Sequence, residues 1–93
     1  DLVAPGAPTS LTYSTPFVTW VAPSSVGTGG ITAYDIQIDD NSDFSSPTYD
    51  YTEWSEANIE VNTLLSAGTW YIRVRAIDQG LKGTWSSAVS FVR

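Results

Sequence analysis

One stretch governs what this chain can fold into: Leu65-Ser66-Ala67-Gly68-Thr69-Trp70-Tyr71-Ile72-Arg73-Val74-Arg75-Ala76-Ile77-Asp78. Strand side chains alternate between faces, so two arginines spaced two apart share one side. Burying unpaired guanidinium groups is costly, which predicts that Arg73 and Arg75, together with Tyr71, mark a hydrated outer face. Trp70, Ile72, Val74 and Ala76 then point inward, and a slip of a single residue would reverse all of them. The stretch reads as a central strand preceded by a turn at Gly68.

The remaining chain supplies partners for such a strand. Thr9 to Tyr13 alternates with Leu11 and Tyr13 on one face, and Phe17 to Pro23 is rich in β-branched and aromatic residues, with Val18 and Trp20 inward. Ile31 to Asp39 sets Tyr34, Ile36 and Ile38 against Ala33, Asp35, Gln37 and Asp39. Further strands are expected at Thr48 to Glu53, at Asn58 to Thr63 with Ile59 and Val61 on one face, and at Trp85 to Val92 with Val89 and Phe91 inward. Ser24 to Gly30 and Gln79 to Gly83 read as loops, Asp39 to Asp43 as a turn after which Phe44 tucks one ring back, and Trp54 to Ala57 as a loop or a single helical turn. Pro5, Gly6 and Pro8 make residues 1–8 an extended linker, leaving 9–93 as one domain. Six or seven short strands with no crossover helices give an all-β, antiparallel two-sheet sandwich.

Inventory narrows the chemistry. The 93 residues contain no cysteine and no histidine, which removes disulfides, thiolate metal sites, Ser-His triads and Cys-His pairs. Absence of methionine suggests a processed product or a module from a longer polypeptide. No apolar run reaches the roughly 18 residues of a membrane span, so no membrane insertion is expected. Ten acidic against four basic residues give a net charge of -6, which disfavours nucleic acid and anionic surfaces. Glu53, Glu56 and Glu60 are the acids a glycoside hydrolase reading would need, but a sandwich of this size offers them no cleft.

Three constellations stand out. Asp39, Asn41, Asp43 and Asp50 fall at offsets similar to those of a calcium loop, but Phe44 stands where that loop needs glycine, so solvated turn residues are the expectation and no metal or cofactor is assigned. Tyr49, Tyr51, Trp54 and Tyr71 are aromatics that a core of this size does not all accommodate, and outward rings suit stacking on sugars or on a protein partner. Arg73, Arg75, Asp35 and Gln37 complete this candidate interaction surface. The plainer alternative is cross-strand pairing of Arg73 or Arg75 with Asp35, the tyrosines covering the arginine stems.

These residues together resemble a fibronectin type III domain, in the variant found in bacterial extracellular multidomain proteins. The likeness is carried by Pro5 and Pro8 before Leu11, Val18-Thr19-Trp20 with Pro23, Tyr34-Asp35-Ile36-Gln37-Ile38, the run from Leu65 to Ala76, Gly83-Thr84-Trp85-Ser86 and Ser90-Phe91. It implies an immunoglobulin-like sandwich of about seven strands in which the third and sixth are neighbours. It further implies a noncatalytic module, without cofactor, that acts as a spacer or as a protein-interaction and assembly surface in a secreted or cell-surface protein. Its partners would be neighbouring domains of the same chain, and a protein or polysaccharide beyond them; the isolated module is expected to be a monomer. A carbohydrate-binding module and a self-assembling fibre subunit are the alternatives. One departure is visible: where the family often places a tyrosine bracing the turn before the sixth strand, the inward residue is Trp70, whose indole donates a hydrogen bond and cannot accept one. The Arg-Gly-Asp tripeptide of some animal members is also missing. With Trp70 in the core, Trp70→Ala should lower unfolding free energy by about 3 to 5 kcal/mol in a urea titration, and Tyr71→Ala by much less.

Overall fold

Where the sequence alternates, the chain is extended. The computed structural model describes residues 3–93; Asp1 and Leu2, the first two residues of the expected linker, lie outside the described residues. Among the described residues eight strands form: β1 (Thr9–Ser14), β2 (Phe17–Val21), β3 (Ala33–Asp39), β4 (Tyr49–Trp54), β5 (Asn58–Glu60), β6 (Thr69–Asp78), β7 (Leu81–Lys82) and β8 (Val89–Val92). One sheet has the order β1-β2-β5; the other has the order β4-β3-β6-β7, with β8 also paired to β6. Every pairing is antiparallel.

The longest strand, β6, is central as expected. It runs beside β3 from Ala33 opposite Ile77 to Asp39 opposite Tyr71. On the inner side of this pair Ile36, Ile38, Ile72, Val74 and Ala76 have no exposed surface. Val18, Trp20, Ile59 and Val61 close the core from the other sheet. Across the gap the Trp20 and Tyr34 rings meet edge to face, with centroids 5.5 Å apart.

Two readings change at the ends of β6. Trp70 is half-buried at the margin of the core and not inside it. Its cross-strand neighbour Phe91 takes the core position at that level, its ring tilted 31° against that of Tyr13 with centroids 4.8 Å apart. Trp70 instead donates from Nε1 to the carbonyl of Ser66, 2.9 Å away, and so braces the turn before β6. At the far end, residues 79–83 are not a plain loop. Leu81 and Lys82 return as β7 to pair with Asp78 and Ile77.

The last edge is therefore one strand broken in the middle. β7 and β8 lie at the two ends of β6, and between them the amides of Gly83 and Ser86 donate to the carbonyls of Ala76 and Val74. Ser86 is buried, and its hydroxyl accepts from the amide of Val74 at 3.0 Å. A side-chain oxygen here stands in for a missing carbonyl of the sheet.

Residues 3–8 lie against the end of the sandwich formed by the β2–β3 connection. Gly6 donates to the carbonyl of Ser25, Thr28 to that of Val3, and Val3 to the hydroxyl of Thr28. Pro5 and Pro8 are buried, and Gly83 passes so close to the Pro5 carbonyl that a Cβ there would collide with it. Residues 55–57 form a loop without a helical turn, and the strand expected through Thr63 stops at Glu60. Placing the core ladder at β6 gives a ranking. Ile72→Ala should cost about 2 to 5 kcal/mol in urea unfolding, and Trp70→Ala less than Ile72→Ala.

Candidate functional site

Opposing residues of an antiparallel pair share a face, so the register that buries Ile36 and Val74 places Asp35 beside Arg75 and Gln37 beside Arg73 on the outer side of the five-stranded sheet. Arg75 donates from Nε to Asp35 Oδ2 at 2.8 Å, and Lys82 of β7 reaches the same oxygen at 2.8 Å. The amide of Glu53 makes a longer bond to Oδ1. Arg73 does not pair with a carboxylate; its Nε and Nη2 both donate to Gln37 Oε1, at 2.8 and 2.6 Å. Gln37 in turn donates to Asp50.

The face is not the hydrated surface that the two arginines suggest. Asp35 is only 1% exposed. Two rings from loops cover the row: the Arg73 guanidinium carbon lies 4.6 Å from the centre of Phe44 and 4.5 Å from that of Trp85, and Arg75 lies 4.4 Å from the same Trp85 ring. Such cation–π contacts contribute about 0.5 to 2 kcal/mol each, more as water is excluded. Phe44 is itself buried although its φ of 53° lies in the left-handed region. That conformation costs about 1 to 3 kcal/mol in a bulky residue, and burial of the ring on Arg73 opposes the cost.

Phe44, Trp85 and Lys82 are the members of this row that strand alternation does not reveal, since two sit in loops and the third in a two-residue strand. Their only trace in the sequence is aromatic character among turn residues, at Asp43-Phe44-Ser45 and Thr84-Trp85-Ser86. Of the tyrosines expected over the arginine stems, Tyr71 alone stays on this face.

Tyr49, Tyr51 and Trp54 lie on the inner face, opposite Ile38, Ile36 and Tyr34. A bulge at Glu53, with φ 56°, inserts one residue and brings Trp54 to the same side as Tyr51. The Tyr49 and Tyr51 rings are nearly parallel, with centroids 6.1 Å apart, and Tyr51 lies 5.4 Å from Trp54. Tyr49 donates its hydroxyl to the carbonyl of Leu64, and Trp54 donates Nε1 to that of Asn58. Both acceptors belong to β5 or the turn after it, so these rings seal the open edge between the sheets. Burial, and then the neighbouring Tyr49, raise the pKa of the Tyr51 phenol. Tyr71 alone remains on the outer face, half-buried opposite Asp39. The four aromatics expected to make one stacking platform are split between the two faces of the sheet.

The residues at calcium-loop spacing also do not converge. Asp39 Oδ1 accepts from the Asp40 amide and the Thr48 hydroxyl, Asn41 bonds Asp40, Asp43 caps Ser45, and Asp50 is held by Gln37. Among the described residues no three acidic side chains gather in metal-binding geometry. An open hollow of about 340 Å³ lies on the three-stranded sheet, lined by Ser14, Thr15, Phe17, Thr19 and Asn58, none of them acidic or basic.

The electrostatics of Asp35 are decided by competition. Burial by itself would raise its pKa, but the hydrogen bonds from Lys82 and Arg75, and then that from Glu53, outweigh it and hold the carboxyl below its ordinary range. A carboxyl lowered on folding adds stability that is complete well above its unfolded value, near about 4, and is lost as pH falls through the folded value. Thermal midpoints of the wild type should therefore decline below roughly pH 5. Asp35→Asn should be less stable at pH 7, by about 1 to 3 kcal/mol for two cations left without their partner, and the decline with acid should flatten.

No protein-family model matches the sequence, and no curated protein matches it either. Solved structures do. Domains A168-A170 from titin align with a TM-score of 0.78 at 18% identity, covering 98% of this chain and 32% of that one. A fibronectin type III domain derived from human KIAA0970 protein aligns with a TM-score of 0.64 at 24% identity, covering 97% of this chain and 70% of that one. This chain thus spans about a third of the titin segment it resembles. The two sheets, their strand order and these neighbours establish an immunoglobulin-like sandwich with the fibronectin type III-like fold.

Proposed function

We propose that the domain is a noncatalytic spacer module of a multidomain protein. One observation carries this reading: strand directions send the chain in at one end of the sandwich and out at the other. β1 starts beside the end of β2, with the preceding residues tied to Ser25 and Thr28, whereas β8 finishes beside Gly68, whose backbone exchanges two hydrogen bonds with Arg93. The body between is elongated, with extents of 44 × 25 × 18 Å. Domains on either side would be held apart along the long axis, and would be its first partners.

A secreted or cell-surface setting rests on the resemblance of the strand pattern to modules of extracellular proteins. A glycan-binding role loses its main support with Tyr49, Tyr51 and Trp54 turned inward. Fibre growth through β4 is opposed by the bulge at Glu53 and by exposed Asp50 and Glu53, features that guard sheet edges against pairing. Small-angle scattering of two copies joined in tandem tests the spacer. The largest dimension should exceed that of a single copy by close to one module length, 44 Å, and a tandem folded back to the single-copy dimension would refute it.

A further inference from the structure

Of the four basic side chains in this acidic chain, three stand together on the outer face: Arg73, Arg75 and Lys82. They are not equally neutralised. Asp35 takes both Arg75 and Lys82, whereas Arg73 has no carboxylate within ion-pair distance among the described residues. Guanidinium groups have five N–H donors. Arg73 uses Nε and Nη2 on one amide oxygen, and Arg75 uses Nε alone. Nη1 of Arg73 and both Nη atoms of Arg75 lack an acceptor among the described residues, yet none of them is among the buried unpartnered atoms, so these edges reach solvent. Phe44 and Trp85 fix the planes of the groups. A fork held in place in advance loses little freedom on binding.

We propose that this face binds an acidic segment of a partner protein, one Asp or Glu carboxylate of which pairs with the free Nη edge of Arg73 while the segment packs beside Trp85. Carboxylate geometry matches the guanidinium fork, and Arg and Trp are both enriched among the residues that anchor protein interfaces. A long polyanion is a poorer occupant. Only one of the three cations lacks an acidic partner, and the net charge of -6 repels extended negative charge beyond the few ångströms over which a single contact acts. The inference is independent of the spacer role, which concerns the ends of the domain and not its face.

Titration with a capped tetrapeptide carrying one glutamate among neutral, non-aromatic residues, read by tryptophan fluorescence and by the Nε–H resonances of the three arginines, tests it. Saturable binding is expected, with the Arg73 and Arg75 resonances moving and that of Arg93 still, and with affinity falling as salt is added. Arg73→Gln should weaken binding about tenfold, and Arg73→Lys, which keeps the charge but not the fork, should weaken it in part. Lack of saturation, equal binding of the same peptide with glutamine in place of its glutamate, unchanged affinity in Arg73→Gln, or tighter binding of a heparin oligosaccharide through the same resonances would each overturn the proposal. Should Arg73→Gln fail to fold, the resonance shifts of the unaltered protein decide: movement at Arg93 alone, or at none of the three, overturns it.

Discussion

The pairing of β3 with β6 is the constraint from which the rest of the molecule follows. Its register is set by apolar side chains on one side, since a shift by one residue would carry Ile36, Ile38, Ile72 and Val74 into water and bring Asp35 and Arg75 into the core. The hydrophobic term for these residues, about 1.5 to 3 kcal/mol each, far exceeds what any surface ion pair supplies. Outer-face geometry is thus inherited. Arg73 meets Gln37 and Arg75 meets Asp35 because the isoleucines and valines beneath them fix where the strands lie.

Having been placed, the outer row needs its own compensation. Two arginines on one face of a strand repel one another, and Asp35 loses nearly all its water. The compensation comes from elements outside the ladder. Lys82 arrives from the short return strand β7, Trp85 from the break between β7 and β8, and Phe44 from the turn after β3. Each contact is modest, but together they make a layered strip in which ring and cation alternate, with Asp35 buried beneath Arg75 and Lys82.

This division explains what was legible in the sequence. Alternation in β2, β3 and β6 revealed the strands, their facing and the sandwich, because two-residue periodicity is a direct consequence of burying one side. It could also locate Asp35, Gln37, Arg73 and Arg75 on one surface once the third and sixth strands were taken as neighbours. Alternation fails where the period itself is broken. The bulge at Glu53 changes the parity of β4, so counting alone does not set Trp54 beside Tyr51. Trp70 and Phe91 both have core parity at one level, and nothing local says which ring fills the core. Phe44 and Trp85 belong to loops, and only the folded chain brings them to a guanidinium group 29 and 12 residues away in sequence.

The break in the last edge has a consequence for how this surface is written into the chain. Trp85 can turn out over the arginines only if the strand gives up its regular ladder there, which would strand the amide of Val74. The hydroxyl of Ser86 accepts that amide, and its own backbone donates to the Val74 carbonyl. One residue displays the ring and the next mends the sheet behind it, so the two act as a single instruction. A small buried side chain, invisible from outside, thereby governs what the domain shows to its surroundings.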